Sequence, residues 1–167
     1  MSLRVALFYA FGIFICLTLQ VLLLRNLVLF NYAFCFLYVG AILTLPPNLD
    51  RSLYLLLAFV VGLILDTFSN TPGLHAAASV LVAYLRDFWI RRYERKAGEE
   101  LVFLTLRRIG LFPFINLFFP LIFVHSAALF LIEANSLNLI LHTGIKILAS
   151  SLYTMLAVLL WQSFLKY

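Results

Sequence analysis

Asp66 is a lone carboxylate inside an apolar run, GLILDTFSNTPGLHAAAS, just ahead of a turn made of Ser69, Asn70, Thr71, Pro72 and Gly73. A charge at the centre of a membrane helix costs roughly 2.5–3.5 kcal/mol on insertion scales, so spanning a bilayer does not call for it. Gly62 precedes Asp66 by four residues and Ala58 precedes Gly62 by four, which stacks the three on one helix face. Small residues leading to a polar one let two membrane helices approach closely and then hydrogen-bond. Ala76, Ala77, Ala78, Ser79 and Ala83 supply the answering small surface after the turn. Lys146 is the second charge within an apolar segment, part of a stripe of His142, Lys146, Ser150 and Thr154 spaced by four. Such a stripe faces protein or a wet cavity. The expected chemistry is mutual neutralisation, with Asp66 meeting Lys146 directly or through His142 or a water. Two plainer readings stand beside it: Asp66 accepts turn N–H groups near Asn70, and Lys146 snorkels outward.

Enzyme chemistry fails on inventory. An intramembrane aspartyl protease needs two facing carboxylates, and Asp50 and Asp87 fall on the side opposite Asp66. A phosphoalcohol transferase needs an aspartate cluster around a metal, and nothing marks a Ser/His nucleophile pair. His125, near Asn116 and a kinking Pro120, reads as a satisfied buried histidine. Cys16 and Cys35 lie in apolar segments and read as free thiols. No enzymatic activity, cofactor or metal is expected.

These residues sit in an integral membrane protein. Of 167 residues 65% are hydrophobic and 11% charged, with a mean hydropathy of +1.07, far from the balance of a soluble domain. Seventeen Phe against seven Gly and five Pro favour helices over the alternating strands of a barrel. The hydropathy pattern predicts an all-α, six-helix transmembrane bundle in one domain, 1–167, with spans at about 5–24, 27–45, 52–68, 74–90, 111–132 and 139–165. The first span has a positive flank at Arg4 but no small-residue exit site, and reads as an anchor. Pro46-Pro47-Asn48 and Thr71-Pro72-Gly73 break the helices around the third span, and Glu133, Asn135, Ser136 and Asn138 make the fifth break polar. Were 27–45 re-entrant, five spans would remain. Basic-residue counting scores the two topologies equally, and segment length favours six.

Ten of the twelve basic residues fall on one side of a six-span chain, which the positive-inside rule places in the cytoplasm with both termini. Arg86, Arg91, Arg92, Arg95, Lys96, Arg107 and Arg108 surround the long loop 91–108. That loop is expected to set topology, touch anionic lipid or dock a cytoplasmic partner. It lacks the aromatic interleaving of a nucleic-acid surface, so no nucleic acid is expected.

The pattern of Gly62, Asp66 and Gly73 in GLILDTFSNTPGLHAAA resembles the rod shape-determining membrane protein MreD family. Chain length, helix count, the basic loop after the fourth span and the polar fifth break extend the resemblance over nearly the whole chain. The resemblance implies a non-enzymatic scaffold of the bacterial cell-elongation and peptidoglycan-synthesis machinery in the cytoplasmic (inner) membrane. It implies MreC as partner and, through that assembly, the filament protein MreB, a RodA-type glycan polymerase and a class B transpeptidase; self-association is compatible with it. It also implies a fold similar to the substrate-binding components of energy-coupling-factor vitamin transporters. That kinship supplies the rival function, a transporter substrate subunit. Ala6 and Ala10 carry the A-x-x-x-A spacing such subunits use, and His75, Glu133, Asn135 and His142 are the candidates for an outward pocket.

Overall fold

A computed structural model of the chain describes residues 3–98, 101, 104–134 and 140–165. All regular structure among them is helical: α1 Leu3–Leu19, a π-helical turn Gln20–Leu24, α2 Leu37–Leu43, α3 Arg51–Ser69, α4 Leu74–Ala97, α5 Leu106–Ile109, α6 Leu111–Ala134 and α7 Ile140–Phe164. Among the described residues four segments are long and apolar enough to cross a membrane: Val5–Leu24, Arg51–Ser69, Leu111–Ala134 and Leu141–Phe164. A fifth helix, α4, is 24 residues long, but Arg86 and Asp87 interrupt its apolar stretch, and it runs seven residues beyond the expected end at 90. α3 packs on α4, α4 on α6 and α6 on α7. α6 continues through Pro120 as one helix.

The expected helix over 27–45 is not there. Leu29 and Ala33 form an isolated antiparallel bridge around a tight turn, in which Phe30 and Asn31 take positive φ. Residues 34–36 have no regular structure, and only the seven residues of α2 are helical. The segment nonetheless runs from one end of the bundle to the other. At its start Arg25 donates to the Phe68 carbonyl at the C-terminal end of α3, and at its finish the Tyr54 hydroxyl, in the first turn of α3, donates to the Ile42 carbonyl at 3.3 Å. The helix between Tyr54 and Phe68 measures about 21 Å. Every residue of α2 is buried, with contacts to α1, α3, α4, α6 and α7.

Non-helical backbone at that depth must find protein partners for its polar groups. Gln20, buried at the π-helical turn, does so twice: its side chain donates to the Cys35 carbonyl at 2.7 Å and accepts from Leu37 N–H at 2.9 Å. From α7, Ser150 Oγ accepts from Phe34 N–H at 2.9 Å and Thr154 Oγ1 from Phe36 N–H at 3.0 Å. At the far end Arg86, only 1% exposed, donates from Nε to the Leu43 carbonyl at 2.9 Å and from Nη2 to the Leu45 carbonyl. A cation at a helix C-terminus satisfies orphan carbonyls and suits the dipole. Arg86 also lies over the Tyr54 ring, 4.5 Å from its centroid. Its expected place among the loop charges is therefore corrected: it is an internal clamp on α2.

The α3–α4 hairpin closes on Gly62. A Cβ there would stand 2.5 Å from Ala76 Cα and 2.7 Å from the His75 carbonyl oxygen, so only glycine permits this approach. Gly62→Ala is expected to destabilise the protein by about 1–3 kcal/mol, as overpacking does. Gly12→Ala, where nothing lies within 4 Å of the new methyl, should leave stability unchanged or raised. Thermal unfolding in detergent measures both, and a wild-type melting temperature for Gly62→Ala would contradict the contact.

Candidate functional site

Asp66, 4% exposed, is positioned by the same close approach. Gly73 begins α4 with φ +80° and has no side chain to cap it. Asp66 reaches across from α3 to do so: Oδ1 accepts from His75 N–H at 2.9 Å and from the Thr71 hydroxyl at 3.0 Å, and Oδ2 accepts from Ala76 N–H at 3.0 Å. His75 and Ala76 are the N2 and N3 positions whose amides a helix leaves unpaired. The carboxylate is thus a cap supplied by the neighbouring helix, its charge balanced by oriented amides and the helix dipole. Asn70, with φ 56°, ends α3 in the left-handed conformation and donates to the Asp66 carbonyl.

Lys146 does not join Asp66, contrary to the expected pairing. No ion pair links the two among the described residues, and the Lys146 ammonium sits over the Phe34 ring, 5.8 Å from its centroid. His142 is exposed, its ring 5.1 Å from that of Tyr32, so it does not bridge them either. The two lower members of the stripe, Ser150 and Thr154, face protein and hold the 34–36 backbone. The basic residues around the 91–108 loop lie at the opposite end of the bundle. Arg91, Arg92 and Arg95 are exposed on the last turns of α4, Lys96 follows on the same helix, and Arg107 and Arg108 are exposed on α5. Arg107 Nη2 donates to the Ser163 carbonyl at 3.3 Å, tying that end to α7.

A cavity of about 220 Å³ lies at the hairpin end, and the sequence reading missed most of its lining. Its aromatic wall comes from Phe34, Phe36 and Phe130, and Arg25 and Glu133 border it. Tyr38 and His75 supply further polar groups. The Tyr38 hydroxyl lies 3.1 Å from His75 Nδ1 and 2.8 Å from His125 Nε2, while Phe36 sets its ring edge-on to both imidazoles. A hydroxyl has one proton, so at least one imidazole donates to it, and each neutral imidazole carries its proton on one nitrogen only. The proton positions of the three groups are therefore coupled. His125 is buried as expected, with Nδ1 unpaired. A second cavity of about 230 Å³ adjoins, lined by Glu133, His142, Thr143 and Lys146 with Phe130 and Ala134. Of the four pocket candidates read from sequence, His75, Glu133 and His142 border these cavities; Asn135 lies outside the described residues. Among the described residues no cluster of His, Cys, Asp and Glu has the geometry of a metal site.

With a cap and not an ion pair at Asp66, Asp66→Ala is expected to cost about 1–3 kcal/mol by orphaning two buried amides, and Lys146→Ala to be close to neutral. The double variant should equal their sum within about 0.5 kcal/mol. Chemical denaturation of the four proteins in detergent measures this, and a double variant clearly milder than the sum would restore the ion pair.

Comparison of the chain with protein-family models, with curated proteins and with solved structures finds no match.

Proposed function

We propose that this chain is a non-enzymatic membrane scaffold of the bacterial cell-elongation machinery, of the MreD kind, acting in the cytoplasmic membrane with both termini and the basic end inside. The observation that carries this reading is the work done by Gly62, Asp66 and Gly73. Gly62 admits the α4 backbone, Asp66 caps α4 and Gly73 supplies the left-handed turn. A motif spent wholly on joining two helices fits a protein that presents a rigid surface to others. MreC is the proposed direct partner, with MreB, the RodA-type polymerase and the class B transpeptidase reached through the assembly. The exposed arginines at the basic end suit anionic lipid headgroups.

One observation favours a second reading, the substrate-binding subunit of a vitamin-type transporter: the aromatic-walled cavity at the hairpin end, of the concave kind small ligands occupy. Depletion in the native rod-shaped cell separates the two. The scaffold reading expects cells to widen and round within a few generations while vitamin uptake stays at its wild-type rate. Normal shape with lost uptake would replace it with the transport reading.

A further inference from the structure

We infer that the hairpin-end cavity binds a small zwitterion with an apolar body about the size of one ring. The inference goes beyond the scaffold reading, and it deepens the transport reading by naming its ligand chemistry. An engineered apolar cavity of about 150 Å³ accepts benzene, so about 220 Å³ has room for a ring and a short stem. Phe34, Phe36 and Phe130 form the aromatic part of its wall, which suits a flat apolar body.

Charge decides the rest. Arg25 and Glu133 border the same cavity without forming an ion pair. Arg25 commits one guanidinium nitrogen to the Phe68 carbonyl and keeps further donors, in the planar array that matches a carboxylate. Glu133 has no hydrogen-bond or ion-pair partner among the described residues. Opposite charges that border one cavity without pairing favour a ligand that carries both; an anion engages Arg25 alone and a cation Glu133 alone. Among the described residues Lys146 leaves Glu133 without an ion pair, since its ammonium rests over an aromatic ring. It borders the adjoining cavity together with Glu133 and lies over the Phe34 ring. A free amino acid with an aromatic side chain has this chemistry; the headgroup of an ethanolamine phospholipid shares the paired charges but carries acyl chains in place of a ring-sized body.

The test uses the full chain in nanodiscs of phosphatidylglycerol, which contain no zwitterionic lipid, titrated with L-phenylalanine by calorimetry. Three comparators each lack one feature: phenylalaninamide the anion, 3-phenylpropionate the cation and glycine the ring. Phenylalanine should bind saturably, with a Kd at least tenfold below that of every comparator. Glu133→Gln changes an exposed side chain and should leave the ligand-free melting temperature unaltered while weakening phenylalanine at least tenfold. Absence of saturable binding, equal affinity for 3-phenylpropionate, or unchanged binding in Glu133→Gln would each overturn the inference. Complete displacement of phenylalanine by one equivalent of phosphatidylethanolamine would move the site to a lipid headgroup and overturn the ring-sized ligand. Binding without cellular uptake of any such ligand removes the transport reading alone and upholds this inference.

Discussion

The structure depends on the satisfaction of backbone polar groups where the chain crosses the bundle without being a helix. In a hydrocarbon surrounding an unpaired amide or carbonyl costs several kcal/mol, and residues 34–36 lie at that depth with no helical or ladder partners of their own. Gln20, Ser150 and Thr154 take the place of those partners. Because Gln20 comes from the end of the first span and the two hydroxyls come from α7, the extended segment ties the two ends of the chain together. It also carries Phe34, Phe36 and, one residue into α2, Tyr38 to the cavity. The cavity is therefore a consequence of the broken crossing: a continuous helix over 27–45 would bond its own backbone and leave those three polar residues without partners.

The same physics recurs at two helix ends. α2 finishes against Arg86, whose guanidinium takes up the Leu43 and Leu45 carbonyls, and α4 starts against Asp66, whose carboxylate takes up the His75 and Ala76 amides. In each case an ionised side chain from a neighbouring helix replaces a local cap, and the dipole has the sign that favours it. Close approach makes this feasible. Gly62 lets α4 reach α3, and at Gly40 a Cβ would fall 2.3 Å from Val158 Cγ2, so α2 is seated directly on α7.

Hydropathy made the membrane class and four spans legible, because a long apolar window registers whatever the backbone does with it. For that reason it misassigned 27–45: LVLFNYAFCFLYVGAILTL is as apolar as a spanning helix, and its extended half is marked by its partners elsewhere in the chain. Gln20 was the available signal, a lone amide in an otherwise apolar run, and such a side chain is tolerated where it has backbone to bond. The four-residue spacing of Ser150 and Thr154 placed them on one face toward protein. Spacing could not show that Lys146, one turn above, leaves that task for the Phe34 ring. Asp66 was conspicuous, yet two roles fitted it equally in sequence. Charge alone leads to Lys146, whereas the glycine at the helix start, which removes the local cap, leads to the amides. Arg86 was hidden among surface arginines, since a one-dimensional cluster does not reveal that one member turns inward. Tyr38 and its two histidines are separated by 37 and 87 residues, and nothing local joins them.

Amide hydrogen exchange of the whole chain in nanodiscs, read at Phe34, Phe36 and Leu37 in the wild type and in Gln20→Leu, tests the central claim most directly. The account predicts slow exchange at all three amides in the wild type. In Gln20→Leu, exchange at Leu37 should accelerate at least tenfold while the amides within α3 and α6 keep their protection. Fast wild-type exchange at these positions, or protection of Leu37 that survives Gln20→Leu unchanged, would contradict it.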